Sequence, residues 1–378
     1  MNSLDQSRVL FLRKSNTQIG GVEMQMIRQA RWLKTQGIAD SVLATNDLQS
    51  PLALLFKNEG FEVWMCAMNG PGYMRKAVQM LRPLLKNSGV KILQAHMFRE
   101  SIICRAVKFT HPNLLHYFRV ETYIDCSPIS GFKKKLFHVL AAITDSMVDH
   151  YFANGQLAAD ELINRSRIKA DKVKVVYNGV ESFGKPDVSR IGFDPDGCLR
   201  IIMVANLIRG KGHELLFQAI HELRKSDIPI RAYLYGDDIG EGCKQQLLDL
   251  SEKLNLKDRI VFCGFAANLR EELEKFQVLV LPSDSEGTPN CVLEAMSTRK
   301  LVVVSDAGEL PFIVQDGISG LVHPKGNQQM LMKHLQYAYN GNSDAIESMR
   351  EAGLNKWRHA FSLDSMMLQL EQFYIQIK

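Results

Sequence analysis

The chain has 378 residues, too many for one ordinary hydrophobic core and suited to two domains. Hydrophobic residues make up 46% and charged residues 23%, a balance that excludes a disordered chain. The net charge of +5 hides an asymmetry: residues 1–180 hold 24 Lys and Arg against 14 Asp and Glu, the remainder 22 against 27. A basic half suits an anionic partner (phosphate, membrane surface or nucleic acid), or else reflects charges scattered over solvated faces.

The first eight residues lack the basic cluster and apolar core of a signal peptide. No apolar run approaches the ~18 residues of a spanning helix, so the expectation is a cytoplasmic protein. Seven cysteines, at 66, 104, 126, 198, 243, 263 and 291, never fall as Cys-x-x-Cys and read as reduced packing residues.

In chain order, Arg8–Arg13 predicts a buried strand and Val22–Gln36 the helix after it. Further strands are expected at Ser41–Ala44, Phe61–Cys66, Lys91–Ala95, Asn113–Phe118, His150–Ala153 and Val173–Val176, with helical periodicity at Tyr73–Lys86 and Gly131–Thr144. Residues 181–198 have linker composition, rich in Gly, Pro, Ser and Asp. The alternation then restarts with strands at Leu199–Val204, Ile230–Tyr235, Arg259–Cys263, Val278–Leu281 and Leu301–Val304. The pattern is α/β: a first domain over 1–180, a linker over 181–198, and a second parallel-sheet domain over 199–360. Phe361–Ile377 has apolar residues at helical spacing and either ends the second domain or packs on the first.

Ligands of parallel sheets bind beyond the carboxyl ends of strands, where helix N-termini turn backbone N–H groups toward them. Three segments fall at such positions. Asn16–Glu23 carries Gly20 and Gly21, which allow close backbone approach and the positive φ of a tight turn, or simply make a turn. Val204–His213 places Asn206, Arg209 and Lys211 before a helix expected over Glu214–Leu223. Two cations there suit a departing diphosphate, though a solvated turn gives the same letters; no Walker pattern is present. In Val280–Met296 a buried strand ends at Pro282 and a polar loop follows, with Pro289 suited to the first position of a helix. Glu286 and Glu294, eight residues apart, set one carboxylate in the loop and one on the helix, to accept from sugar hydroxyls while loop amides from Gly287 to Asn290 donate to phosphate. The plainer reading makes Glu286 a capping acid and Glu294 a surface charge.

The Glu-x7-Glu spacing within PSDSEGTPNCVLEAMS resembles the signature of family 4 glycosyltransferases, which have the GT-B fold of two Rossmann-like doubly wound domains facing a central cleft. Gly20–Glu23, Lys174–Val180, Lys211–His213, Ser305–Pro311 and Gly317–Val322 resemble other family segments in the family's order. The resemblance implies a retaining, metal-independent transferase that moves a sugar from a nucleotide diphosphate sugar, such as a UDP-sugar, to a glycan or lipid-linked acceptor in surface polysaccharide or lipopolysaccharide assembly. No cofactor is implied. Lys211, helped by Arg209, would neutralise the leaving phosphate and Glu286 would hold sugar hydroxyls, with Arg119 beside the reacting groups. Gly20, Gly21, Asn206, Gly287, Thr288, Pro289, Asn290 and Glu294 would line the donor, Glu294 accepting from the ribose. His96, Arg99 and Arg119 would meet the acceptor. The family's last helix crosses back onto the first domain, which suits residues 361–378.

Two positions depart from the family. Asn206 stands where arginine is usual, and Arg119 stands near where many members have histidine. Asp194-Pro-Asp196 spells the Asp-x-Asp of metal-dependent glycosyltransferases, but it follows no strand and reads as a turn. On the acceptor side, Tyr73–Lys86 and Gly131–Leu140 are basic and apolar, fitting either an anionic membrane surface or core helices with lysines on the wet face. Alternatives to transfer are a same-fold epimerase or phosphorylase, or a catalytically silent partner that binds nucleotide sugar. Nucleic acid is not expected as a partner, since neither aromatic platforms nor a known module accompany the charge.

Overall fold

In a computed structural model of the protein, residues 7–16, 18–121, 131–182, 194–238, 242–266, 268–341 and 343–377 are described. The chain divides into two units, Met1–Asn178 with Met366–Lys378, and Gly179–Ser365.

The first unit is built on strands β1 (Arg8–Leu12), β2 (Asp40–Thr45), β3 (Glu62–Met65), β4 (Val90–Ala95), β5 (Leu115–Val120), β6 (His150–Ala153) and β7 (Val173–Val175). All pair in parallel, in the order β3-β2-β1-β4-β5-β6-β7. β1 is a continuous apolar run because both its faces are covered: Val9, Leu10, Phe11 and Leu12 are fully buried. Leu10 and Leu12 enter one core with Ala77, Leu81, Ile103 and Ala141. On the other face the Phe11 ring meets Phe56 edge-on, centroids 6.2 Å apart.

The second unit holds β8 (Leu199–Val204), β9 (Ile230–Tyr235), β10 (Ile260–Gly264), β11 (Val278–Leu281), β12 (Leu301–Ser305) and β13 (Leu321–His323), parallel in the order β10-β9-β8-β11-β12-β13. The chain runs from β8 outward through β9 and β10, then returns to the other side of β8 as β11. The carboxyl ends of β8 and β11 therefore flank the switch point of the sheet, the place where such folds bind ligands.

Most elements lie within two residues of the positions expected from sequence, with β5 at Leu115–Val120 shifted toward the carboxyl end. β13 is not among the strands expected from sequence; it has only three residues, too few to show a period, and is fixed by its pairing with β12. Pro289 caps its helix from outside (φ −73°, ψ 116°), and the helix begins at Asn290, one residue later than expected. In the expected linker, residues 183–193 lie outside the described residues. Residues 194–198 belong to the second unit as a turn in which the Asp194 N–H donates to Cys198 O and the Gly197 N–H to Asp194 O.

The chain leaves the first unit at Asn178 and re-enters it at Met366. Beside these passages the Val180 N–H donates to Phe361 O and the Leu363 N–H to Val180 O. The helix Leu363–Ile375 then buries Phe373 and Tyr374. Tyr117 donates its hydroxyl to Phe373 O at 2.7 Å, and the Phe373 ring packs edge-on against His150 and Phe152 at 4.6 and 5.0 Å.

Candidate active site

At the switch point of the second unit, the turn after β8 and the loop after β11 are fastened to each other. The Asp284 N–H donates to Gly210 O at 2.7 Å. Gly212, at φ +83°, lies against Pro282 so closely that a Cβ there would stand 2.1 Å from the Pro282 carbonyl oxygen. This contact sets where Lys211 and Glu286 emerge. The Lys211 ammonium donates to Glu286 Oε1 at 2.8 Å, and Ser283 donates its hydroxyl to the same oxygen at 2.6 Å. The Glu309 N–H holds the Glu286 backbone carbonyl at 3.2 Å. The pair is partly shielded, with side-chain exposures of 26% for Lys211 and 10% for Glu286.

Glu294 is buried on the helix Asn290–Ser297, one turn inside its start. Cys291 lies near both acids: its burial, and then the charges of Glu286 and Glu294, push its thiol well up, while Lys211 opposes them. Lys211, Glu286 and Glu294 thus share one electrostatic neighbourhood. Thr288 is buried in the loop, with Gly287, Pro289 and Asn290 half-buried around it. Asn206 and Arg209 are exposed. Arg209 lines a small recess with Glu214 and Gln246 and forms no ion pair among the described residues. The helix after the turn runs His213–Lys225. His213 is held neutral, its pKa pushed down to about 4 by burial and the adjacent ammonium of Lys211. Ser283 and Cys291 were not singled out from sequence; the serine lies in the polar loop, but its partner is fixed only by the fold.

In the first unit, the glycine loop differs from expectation. Gly20 is extended (φ −104°, ψ −171°), so no positive φ is used, and Gly21 opens the helix Gly21–Thr35. The organiser is Glu23, whose carboxylate accepts from the Gly20 N–H at 3.0 Å, Asn16 Nδ2 at 2.7 Å and Arg13 Nε at 2.7 Å. A Cβ on Gly20 would meet that carboxylate at 3.1 Å, so Gly20 serves the close approach of Glu23.

Arg119 does not reach a surface, which corrects its assignment beside the reacting groups and the acceptor. It is 1% exposed; Nη2 donates to Asn178 Oδ1 at 2.8 Å and Val176 O at 3.1 Å, and Nε lies 3.3 Å from Glu121 Oε1. Its alternation along β5 turns it into the interior of the unit. His96 is also fully buried, and both ring nitrogens are engaged, Nδ1 with Glu121 at 2.8 Å and Nε2 with Gln94 at 3.0 Å. Burial holds His96 below its usual pKa although Glu121 opposes it. Burial alone would raise the Glu121 carboxyl, but Arg119, His96 and Arg13 bring it below the usual range. Arg99 is exposed and donates to Met68 O at 3.2 Å. His96, Arg99 and Glu121 line a cavity of about 310 Å³, closed on one side by Phe98, Phe137 and Ala141. Glu121 was not singled out from sequence, since a lone acid after a strand carries no distinctive signal.

The Asp-x-Asp carboxylates are paired with arginines. Arg231 binds Asp194 and, at 2.6 Å, Asp196, while Arg200 lies 3.2 Å from Asp194. Arg231 and hydrogen bonds from Cys198 hold the Asp196 carboxyl down at about 2. The six described cysteines are free thiols; Cys126 lies outside the described residues.

Two parallel-sheet units of this topology are the architecture of the GT-B fold, and sequence comparison agrees. The family model described as Glycosyltransferase Family 4 matches residues 19–182, and that described as Glycosyl transferases group 1 matches residues 198–340. Both halves match, and the chain belongs to the family 4 glycosyltransferases of GT-B fold.

Among curated relatives, it is 26% identical over 180 residues to the N-acetylgalactosamine-N,N'-diacetylbacillosaminyl-diphospho-undecaprenol 4-alpha-N-acetylgalactosaminyltransferase of Campylobacter jejuni, covering 47% of each chain. It is 26% identical over 183 residues to the amylovoran biosynthesis glycosyltransferase AmsK of Erwinia amylovora, covering 43% of this chain and 44% of that one. The chain thus spans less than two thirds of the length of the curated relatives it matches. Among solved structures, Anabaena Alr3699/HepE in complex with UDP-glucose aligns with a TM-score of 0.81 at 17% identity, covering 97% of this chain and 98% of that one. A glycosyltransferase from Rickettsia africae ESF-5 aligns at 0.81 and 18% identity, covering 99% of each chain. These likenesses show the fold.

Proposed function

We propose that the protein transfers a sugar from a nucleotide diphosphate sugar to a glycan or lipid-linked acceptor in surface polysaccharide assembly. The observation that carries this is the Lys211–Glu286 pair at the carboxyl ends of β8 and β11, with Glu294 in the same electrostatic neighbourhood. When donor enters, Lys211 exchanges Glu286 for the diphosphate and offsets the charge that grows as it leaves. Glu286, held by Ser283, accepts from sugar hydroxyls, and Glu294 accepts from the ribose. The bond from the anomeric carbon to the diphosphate oxygen breaks, the acceptor oxygen bonds to that carbon, and the acceptor's proton passes to the departing phosphate.

Retention of configuration and metal independence belong to the proposal. The pairing of Asp194 and Asp196 with Arg231 supports the second, since their charge is already neutralised. The UDP-glucose complex of the Anabaena protein makes a UDP-sugar the first donor to try, and names such as amylovoran biosynthesis among the relatives support a polysaccharide acceptor.

Thermal shift against UDP-, GDP- and ADP-sugars reads donor binding; a true donor at about 100 times its Kd stabilises by ~2.7 kcal/mol. With that donor, Glu286→Ala is expected to lower turnover about 100-fold or more while the chain stays folded. Nucleotide diphosphate released in step with glycosylated acceptor separates transfer from epimerisation. The reading fails if no nucleotide sugar shifts the melt, or if Glu286→Ala turns over like the native chain.

A further inference from the structure

Five buried side chains of the first unit form one row of hydrogen bonds that ends at the cavity. Tyr374 on the last helix, Gln29 on the first, Gln94 on β4, and His96 and Glu121 just beyond β4 and β5 are each no more than 5% exposed. The Tyr374 hydroxyl donates to Gln94 Oε1, and Gln29 Nε2 donates to the Tyr374 hydroxyl. Gln94 Nε2 donates to Gln29 Oε1 at 2.8 Å and lies 3.0 Å from His96 Nε2. His96 Nδ1 completes the row, 2.8 Å from Glu121 Oε1.

Such a row has two self-consistent states, because the amides and the imidazole can reverse together. In one, Glu121 is a carboxylate: His96 Nδ1 carries the proton, Nε2 accepts from the Gln94 amide, and Gln94 Oε1 accepts from Tyr374. In the other, Glu121 is a neutral acid that donates to Nδ1, and each bond farther along runs the opposite way. Arg119 decides between them. It is 1% exposed, with Nε 3.3 Å from Glu121 Oε1, and away from water its charge strongly favours the anion. Arg13, beyond β1, adds to this, and burial keeps the imidazole from taking a second proton against the pull of Glu121.

We propose that Arg119 fixes the direction of this row and so makes Glu121 a standing hydrogen-bond acceptor in the cavity, for a hydroxyl of a neutral sugar ring. His96 and Arg119 both meet Oε1, and a carboxylate takes donors on its other oxygen as well. Charge balance selects a neutral ligand: Arg13, Lys14 and Arg99 line the cavity together with Glu100, Glu121 and Glu161. Three basic and three acidic groups leave little net field for an ion to gain from. The Phe98 and Phe137 rings, centroids 4.5 Å apart on one wall, give the apolar face of a sugar a surface to lie on. At about 310 Å³ the cavity is at the small end for ligand pockets and suits one ring. Arg119 is thus a positioning residue, acting through Glu121. The inference rests on the sugar-transfer reading only in taking this ring for part of the glycan acceptor.

The test is heteronuclear NMR of the histidine rings in the full chain, which tells the two neutral tautomers apart. Native His96 is expected as the Nδ1–H tautomer at neutral pH. Arg119→Gln should populate the Nε2–H tautomer, Arg119→Lys should keep Nδ1–H, and Tyr374→Phe should leave the tautomer unchanged because the direction is set at the other end. The same spectra are then followed on titration with methyl glycosides of neutral hexoses, of a hexuronic acid and of an amino hexose. Neutral glycosides should shift His96 saturably, and Glu121→Gln should raise their Kd about tenfold. Native His96 found as the Nε2–H tautomer overturns the proposal, as does a folded Arg119→Gln variant that keeps Nδ1–H alone. So does a charged glycoside that binds as tightly as the neutral ones, or a native His96 that no neutral glycoside shifts. Should Arg119→Gln not fold, the native tautomer and the Glu121→Gln titration still decide. No turnover or donor is read, so these outcomes are separate from those that test the sugar-transfer reading.

Discussion

The residue that sets the geometry of the candidate active site is Gly212, which touches no substrate in the proposed reaction. At φ +83° a Cβ is already disfavoured, and here it would also stand 2.1 Å from Pro282 O and 2.8 Å from the proline ring. Gly210, two residues earlier, has a similar φ of +82° but only Asp284 side-chain atoms at 3.8 Å and beyond. Gly210→Ala is expected to cost about 1 kcal/mol of folding stability from backbone conformation alone, and Gly212→Ala about 2–4 kcal/mol because the β11 loop must move. Chemical denaturation of the two variants checks the ranking; equal losses would mean that the Pro282 contact relaxes freely.

The placing of Lys211, Glu286 and Glu294 was legible from sequence because it follows from a strand end, a loop and a helix start. The burial of Arg119 and the extended backbone of Gly20 were not legible, because spacing does not say where a side chain or a φ angle points. Arg119 follows the strand alternation inward to Asn178, and Gly20 is shaped by Glu23. The His96–Glu121 contact joins residues 25 apart, each just beyond the end of one of two adjacent strands, which no local pattern reveals.

At the scale of elements, strands buried on both faces were legible from continuous apolar runs such as Val278–Leu281, every residue of which is buried. Two things were not. β13 exists through pairing with β12, and the helix Gly131–Ile143 has apolar residues on both sides, so its periodicity did not tell which side packs. The helix Leu363–Ile375 poses the sharpest test. Its Tyr374 is fully buried, with its hydroxyl placed between Gln29 and Gln94. Removing it uncovers Tyr117, Phe152 and this polar cluster together. A fragment ending at Asn178 is therefore expected to show molten behaviour, with dye binding and no cooperative melt. Adding a peptide of residues 363–378 should restore a cooperative transition. A fragment that melts cooperatively by itself would show that this helix is dispensable to the first unit.

At the scale of the molecule, each unit carries a buried histidine that must stay neutral. His116 in the first unit is fully buried, its pKa pushed down to about 3 by burial and then by Arg105, with a smaller contribution from Lys108. His213 in the second unit is pushed down to about 4 by burial and then by Lys211. An unfolded histidine titrates near 6.5, so between that value and about 4 the unfolded chain binds more protons at both positions. Stability then rises with pH across this window and is lost as pH falls, at up to about 1.4 kcal/mol per pH unit for each histidine. Glu121 acts in the same direction at lower pH: its depressed carboxyl contributes stability that disappears as pH falls through its folded value. Thermal melts from pH 7 to pH 5 should show falling stability. His116→Asn and His213→Asn should each remove part of the slope, at some cost in stability at neutral pH, the remainder coming from other buried histidines such as His96. If the units melt separately, each substitution should flatten only the transition of its own unit. A melting temperature unchanged between pH 7 and pH 5 would mean that neither imidazole is held neutral by its surroundings.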